Sequence, residues 1–526
     1  MNDILLPTSI FLGRPGLVKY FYLRFSKQIL PIMGIIKFQS IRYSIFNALA
    51  IGLGALAIIF IIPYDKTSYG IVNMIFAAAY LLSPVLGLGL PLVIIKYYPF
   101  FKNKGKEDYY LGFPLALTAL VTFSLALILS LFFSEFSKAA AFFGLDADFI
   151  MSNKLNILIL SVLLVFNYVI ISFSALQKKI AIPELLSNVA YKIYVPFLII
   201  LVYIKYLSVQ NLGLGLILFY VFSTLAILLY VSRMRSWKWS TGFSFVLHDK
   251  ENNLIGFMLQ SGLQTLANGI LLRLDVLMVG LILGPFEAGI YGIILFMTST
   301  LEIASKAISQ ISAPIISQKW SEGNLTEIGK IYSKSAVVLT VISCLLFVLL
   351  YFNFPHIFKL MPKTEFNQEW ILVMTVLCLA RIVDLGFSLN GVILTYSNLI
   401  RYNIGFLILS GMIYFILLVN LLPKMGMLGA AISYFVVIMF FNLAKHILIK
   451  LRWQLDPLNF NLLKVVAIAV VTFLTTWFLP QLNNPWLAMA VNSTVIVSIY
   501  FFGLLLLKPS EDIELMIHNI KARILK

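Results

Sequence analysis

Long apolar blocks, separated by short polar intervals, run through most of the chain. A block of 18 or more apolar residues predicts a membrane-crossing helix, because a helix satisfies its own backbone groups inside lipid. Fourteen such spans are predicted, at 38–62, 68–96, 110–133, 151–177, 184–205, 211–232, 254–284, 287–316, 331–353, 368–396, 402–421, 426–449, 462–480 and 484–507. Several exceed the ~20 residues needed to cross, so they are expected to tilt or to project from the bilayer. The predicted fold class is an all-α polytopic membrane protein of about fourteen transmembrane helices. Two pseudo-symmetric six-helix lobes are expected, with two extra helices at the C-terminal end.

The polar intervals divide the chain. Residues 1–37 form a basic, aromatic N-terminal segment, "GRPGLVKYFYLRFSKQILP" at its centre. Two readings of it stay open: a helix lying on the membrane surface, or an extension upstream of a start at Met33. The first apolar block is too long for a signal-peptide core, so no cleavable signal is expected. Residues 38–232 make the N-lobe, spans one to six. Residues 233–253 are a cytoplasmic linker, 254–450 the C-lobe, and 451–507 the last two spans. The tail, 508–526, reads as a cytoplasmic amphipathic helix. Ser510 caps it, and Ile513, Met516, Ile517, Ile520 and Ile524 recur at helical spacing. No interval is long enough for a separate catalytic domain.

The two halves resemble each other. "TSYGIVNMIFAAAYLLS" (67–83) aligns with "FEAGIYGIILFMTSTLE" (286–302), matching Gly70 to Gly289. Pro91 is followed by Lys96 and Tyr97, and Pro314 at the same offsets by Lys319 and Trp320. Because six is even, both copies enter the membrane from the same side, and a parallel repeat about an axis along the membrane normal is expected.

Charge sets the orientation. Only 12% of residues are charged and the net charge is +17; soluble chains carry about 25% charged residues. With the N-terminus inside, cytoplasmic intervals hold about 28 of the 39 Lys and Arg and external ones about 7. Both termini are therefore expected in the cytoplasm, and the basic excess is a loop bias rather than a nucleic-acid surface. Four cations fall in no loop: Lys192, Arg273, Lys306 and Arg381.

An ionised Arg or Asp at the centre of a membrane helix costs about 2.5–3.5 kcal/mol on an insertion scale. Span seven nevertheless keeps Arg273 and Asp275 in "LLRLDVLMVG". Ser261, Gln264, Asn268 and Asp275 share one helical face. Arg273 lies about 200° away from Asp275 and needs its own partner or a wet cavity. Span eight carries Thr298, Glu302, Ser305, Ser309 and Ser312 as a stripe, with Lys306 one turn after Glu302. Span ten aligns Arg381, Asp384 and Ser388, and span five aligns Glu184, Asn188 and Lys192. Span one begins with Lys37, Gln39, Ser40, Arg42, Ser44 and Asn47; there Lys37 and Arg42 have the alternative of snorkelling to the surface. Two readings of these stripes stay open. They are glue between helices, Glu302 with Lys306 and Arg381 with Asp384; or they line a wet cationic cavity suited to an anionic cargo. The candidate cavity set is Arg42, Lys192, Arg273, Asp275, Glu302, Lys306, Arg381 and Asp384.

Cys344 and Cys378 lie inside spans and the four His are scattered, so no disulfide, metal site or cofactor is expected. Neither the ATP-binding Gly-x-x-x-x-Gly-Lys-Ser/Thr nor Gly-x-Ser-x-Gly occurs, and a non-enzymatic role is expected.

"LRLDVLMVGLILGPFEAGIYGI" (272–293) resembles the start of the second half in Wzx-type flippases, the polysaccharide repeat-unit transporters of the MOP superfamily. Asp275, Leu283-Gly284 and Gly289-Ile290-Tyr291 fill that family's pattern. "MGIIKFQSIRYSIFNALAIGLGALAIIF" (33–60) and "SYGIVNMIFAAAYLLSPVLGLGLPLVIIKYYPFF" (68–101) resemble its first two spans. The resemblance implies transport of an undecaprenyl-pyrophosphate-linked oligosaccharide across the bacterial inner membrane, for O-antigen, capsule or exopolysaccharide. It also implies lobes that alternate around a cavity lined by spans one, two, seven and eight, with membrane lipids and a polysaccharide polymerase and ligase as partners. Asp275 and Glu302 are the candidates for proton or sodium coupling. The alternatives are a multidrug or cation antiporter, or a lipid II flippase, of the same superfamily, and then a membrane glycan polymerase or ligase. The antiporter reading wants an acid deep in span one, and that span has none.

Overall fold

The computed structural model describes residues 46, 48–103, 110, 112–177, 179–234, 254–480 and 482–509. The basic N-terminal segment with Arg42, nearly all of the 233–253 linker, and the tail helix fall outside the described residues.

The described chain is helical throughout. In the N-terminal half the helices are α1 (Ala48–Tyr64), α2 (Lys66–Gly87), α3 (Leu90–Asn103), α4 (Gly112–Leu131), α5 (Phe133–Phe142), α6 (Ala147–Ser152), α7 (Lys154–Leu176), α8 (Ala181–Tyr203) and α9 (Leu212–Ser232). The C-terminal half has α10 (Leu254–Leu283), α11 (Pro285–Ser321), α12 (Leu325–Leu360), α13 (Glu369–Phe387), α14 (Asn390–Tyr396), α15 (Ile400–Met425) and α16 (Met427–Trp453). Two further helices follow, α17 (Phe460–Trp477) and α18 (Pro485–Leu507). Thirteen of the described helices are long and apolar enough to cross a membrane, and α1 is a shorter apolar helix. This is a multi-pass membrane protein.

Side-chain caps fix several helix starts. Asp65 accepts from the Ser68 backbone N–H (3.0 Å) and from its hydroxyl (2.6 Å), and so starts α2. Asn324, Asn459 and Asn484 cap α12, α17 and α18 in the same way. Two faces result. One carries the start of α2 and the α12–α13 loop, and we call it the Lys363 face. The other carries the turns after α9, α11 and α14, and we call it the Glu322 face.

Four predicted spans are less regular than a straight helix. Span two breaks at Leu88 and Gly89, both left-handed (φ 41° and 70°), and continues as α3. A Cβ on Gly89 would lie 2.1 Å from the Ser261 Oγ of α10, so the close crossing of these helices demands glycine. Span ten breaks at Ser388 (φ 46°), whose N–H turns back to the Asp384 and Leu385 carbonyls, and restarts as α14. Span eight narrows to a 3-10 turn at Thr300–Glu302, and span five widens to a π turn at Leu185–Val189. Both turns shift the side chains that follow them around the helix.

The halves meet along α2, which packs on both α10 and α11. The repeat-matched glycines touch there. A Cβ on Gly70 would sit 1.7 Å from the Pro285 carbonyl oxygen, and one on Gly289 would sit 2.1 Å from that of Lys66. Each glycine thus faces the residue four positions before the other, as a two-fold relation between the copies requires. Within the lobes, α7 packs on α2 and α9, and its counterpart α13 packs on α16. α17 and α18 pack on α12, beyond the six-helix C-lobe.

Candidate functional site

Asp275 and Arg273 leave α10 on opposite sides, as their spacing requires. Asp275 points into the C-lobe and is 2% exposed. Its Oδ1 accepts from the Val276 N–H (2.8 Å) and its Oδ2 from the Tyr291 hydroxyl (3.0 Å). That bond ties α10 to α11 across the turn at Gly284, whose φ of 109° suits glycine. The Asp, Leu-Gly and Gly-x-Tyr elements of 272–293 therefore form one physical unit, a pinned helical hairpin. Tyr291→Phe would leave a buried carboxylate oxygen without its donor. We expect a loss of about 1–3 kcal/mol, read as a lowered melting temperature of the purified protein.

Arg273 points into the N-lobe. Its guanidinium lies over the rings of Phe76 (5.3 Å) and Tyr80 (5.8 Å) on α2. Tyr191 and Tyr220 pack against Phe76, and Tyr168 against Tyr80, so the cation enters a lobe lined with aromatic rings. Lys192, from α8, has its ammonium 5.0 Å from the Phe296 ring centre on α11. Arg273 and Lys306 both act electrostatically on Lys192, and Lys306 also acts on Glu184. Three of the four in-span cations thus gather where α8, α10 and α11 approach, one from the N-lobe and two from the C-lobe. Among the described residues, none of the three is within ion-pair distance of a carboxylate. Lys306 is exposed; Lys192 and Arg273 are half-buried.

The fourth cation is elsewhere. Arg381 of α13 pairs with Glu302 of α11, and its guanidinium lies 4.7 Å from the Tyr434 ring centre. The Glu302–Lys306 and Arg381–Asp384 pairs considered from spacing give way to this interhelical one. Glu302 sits in the 3-10 turn, outside the regular helix that would have placed Lys306 beside it. Asp384 instead accepts from the Asn442 amide (2.8 Å), and Asn390 donates to the Asn442 carbonyl oxygen (2.7 Å). Ser388 bonds Ser335 of α12 (2.8 Å). On span five, the Asn188 amide donates to Glu184.

Sequence reasoning missed a fifth interior cation. Lys445 of α16 is 4% exposed, lies 3.7 Å from the Phe441 ring centre and faces the charge of Asp384. It lies near the end of span twelve, 426–449, where a cation reads as a loop charge. Its signal was Asn442, three residues before it on the same helical face. Arg42 lies outside the described residues.

The MatE family model matches residues 261–385, from α10 through most of α13. The structure of the lipid II flippase MurJ, in an inward closed conformation, superposes with a TM-score of 0.68 at 12% identity, over 88% of this chain and 98% of that chain. A multidrug resistance MATE family transporter of the MOP superfamily, inward-facing, gives 0.59 at 13% identity, over 77% and 94%. An outward-facing structure of such a transporter gives 0.53 at 12%, over 79% and 95%. No curated protein matches the sequence. The chain has the fold of these transporters and flippases.

Proposed function

We propose that this chain is a MOP-superfamily flippase. It moves an undecaprenyl-pyrophosphate-linked oligosaccharide across the bacterial inner membrane by alternation of its two lobes, for surface polysaccharide export. Both termini lie in the cytoplasm, and the Lys363 face is external. The observation that carries this reading is the gathering of Lys192, Arg273 and Lys306 from both lobes, with no ion-paired carboxylate among the described residues and with aromatic rings beside Lys192 and Arg273. Such a set offers charge-assisted bonds to a diphosphate and ring faces to sugars. It suits a cationic drug poorly, which argues against the antiporter reading. For coupling to a proton or sodium, the acids at hand are Asp275 and Glu302, held by Tyr291 and Arg381.

A second reading, a lipid II flippase, is favoured by the superposition on MurJ across nearly all of that chain. Both cargoes present a diphosphate between a polyprenyl tail and a glycan, so the cation set serves either. Whether deletion blocks surface polysaccharide or cell-wall growth separates them.

Complementation of a deletion strain tests the cation set. Arg273→Ala, and the double variant Lys192→Ala/Lys306→Ala, are expected to restore surface glycan to less than about a tenth of wild type, since charge-assisted bonds contribute about 1.5–3 kcal/mol each. Full rescue by well-expressed variants would remove these cations from the transport path.

A further inference from the structure

The Lys363 face holds two adjoining cavities. The first is a cleft of about 900 Å³ between the start of α2 and the α12–α13 loop. Lys66 and Lys363 line it, together with the side-chain amides of Asn367 and Gln368 and the ring of Phe286. Glu365 is its one carboxylate. The second is an apolar groove of about 220 Å³ between α1 and α8, walled by Phe60, Ile61, Ile199 and Ile200. Tyr64 and Tyr203 complete the groove.

Lys363 is the wall between them. It lines the cleft, its Nζ donates to the Tyr203 hydroxyl (2.9 Å), and it stands 4.6 Å from the Tyr203 ring centre. Its carbonyl oxygen accepts from the Lys66 Nζ (2.6 Å), which also donates to the Pro63 carbonyl (3.0 Å). Lys363 has φ 51°, a left-handed conformation uncommon outside glycine. A cationic, amide-bearing cleft thus opens beside an apolar groove. The outer ends of α1 and α8, with Phe60 and Ile200 exposed, turn that groove toward lipid.

We propose that these cavities form one site for the transported lipid after it has crossed: the diphosphate and first sugars in the cleft, the start of the prenyl chain in the groove. The site rests on the flippase reading for the identity of its occupant. Two lysines complement a diphosphate against Glu365 in the cleft and Asp65 behind Lys66, the latter engaged by Ser68; amides suit sugar hydroxyls, and the groove accepts a hydrocarbon chain and nothing charged. The Lys192–Arg273–Lys306 set lies elsewhere, so the cargo would pass from one cationic site to another on its way to the outer leaflet.

Binding to the purified full-length protein tests the site without requiring transport. Undecaprenyl diphosphate and dioleoylphosphatidylglycerol serve as competing probes, with retention read by native mass spectrometry. The wild type is expected to prefer the diphosphate. Lys363→Gln is expected to weaken its retention about tenfold or more, roughly the loss of one charge-assisted bond. Ile200→Trp, which fills the groove and leaves both lysines in place, is expected to weaken it similarly. Preference for phosphatidylglycerol, or equal retention by the wild type and both variants, would overturn the site. If the diphosphate is retained as expected while a deletion strain makes normal surface glycan, the site stands and the transport reading alone falls.

Discussion

Replacing Gly70 or Gly289 by alanine is expected to stop transport while the protein still inserts. A methyl group at Gly70 would lie 1.7 Å from the Pro285 carbonyl oxygen, and one at Gly289 would lie 2.1 Å from that of Lys66. Backbone cannot swing aside as a side-chain tip can, so α2 and α11 must separate to accept either methyl. Overpacking a tight contact costs about 1–3 kcal/mol, and 1.4 kcal/mol is a tenfold change in an equilibrium. The packing of α2 on α11 would then be depleted about tenfold or more. A transporter that alternates between two packings loses its cycle when one of them is removed. Gly52→Ala and Gly405→Ala are the controls: among the described residues no atom of another element lies within 4 Å of the added methyl at either position, and wild-type transport is expected. Surface glycan per molecule of membrane-inserted protein is the readout. Normal transport by both Gly70→Ala and Gly289→Ala would show that this contact is not part of the cycle.

Removing Arg381 is expected to give the largest loss of stability. Its guanidinium is enclosed by Glu302 and the Tyr434 ring, with the charges of Asp384 and Asp275 nearby. Arg381→Ala leaves the part-buried Glu302 without its ion-pair partner and takes a cation away from Asp275 and Asp384. Breaking a buried pair from one side costs about 3–5 kcal/mol, because the remaining charge stays buried and unpaired. Arg381→Ala should therefore lower the melting temperature strongly. The double variant Arg381→Met/Glu302→Leu, which removes both charges, should recover much of the loss. Equal destabilisation by the single and double variants would mean that packing rather than charge makes Arg381 important.

Helical spacing in the sequence made part of this arrangement legible. Fourteen apolar blocks correspond to the thirteen spanning helices and α1. The 200° between Arg273 and Asp275 sent them into different lobes, because α10 stays regular between them. The weak Gly70–Gly289 match marked two residues that pack against each other's helix starts. Spacing failed where the helix changes its winding. The 3-10 turn removed Glu302 from Lys306, and Ser388 ended α13 inside what read as a single span. Partners on other helices were not legible either: Tyr291 for Asp275, Asn442 for Asp384 and Glu302 for Arg381. Those are set by how helices pack, which one helix's periodicity does not encode. The Lys363 cleft was equally hidden, since Lys66 and Lys363 fall in the intervals between spans, 297 residues apart, and spacing does not bring them together.

Lipid-linked oligosaccharide in a deletion strain is the measurement that bears most directly on the flippase reading. Cells lacking the gene are compared with complemented cells for surface glycan and for the leaflet in which full-length lipid-linked units reside. The reading predicts loss of surface glycan, with units accumulating in the inner leaflet of the inner membrane. Normal lipid-linked units and normal surface glycan, with altered sensitivity to drugs or dyes alone, would contradict it and favour the antiporter.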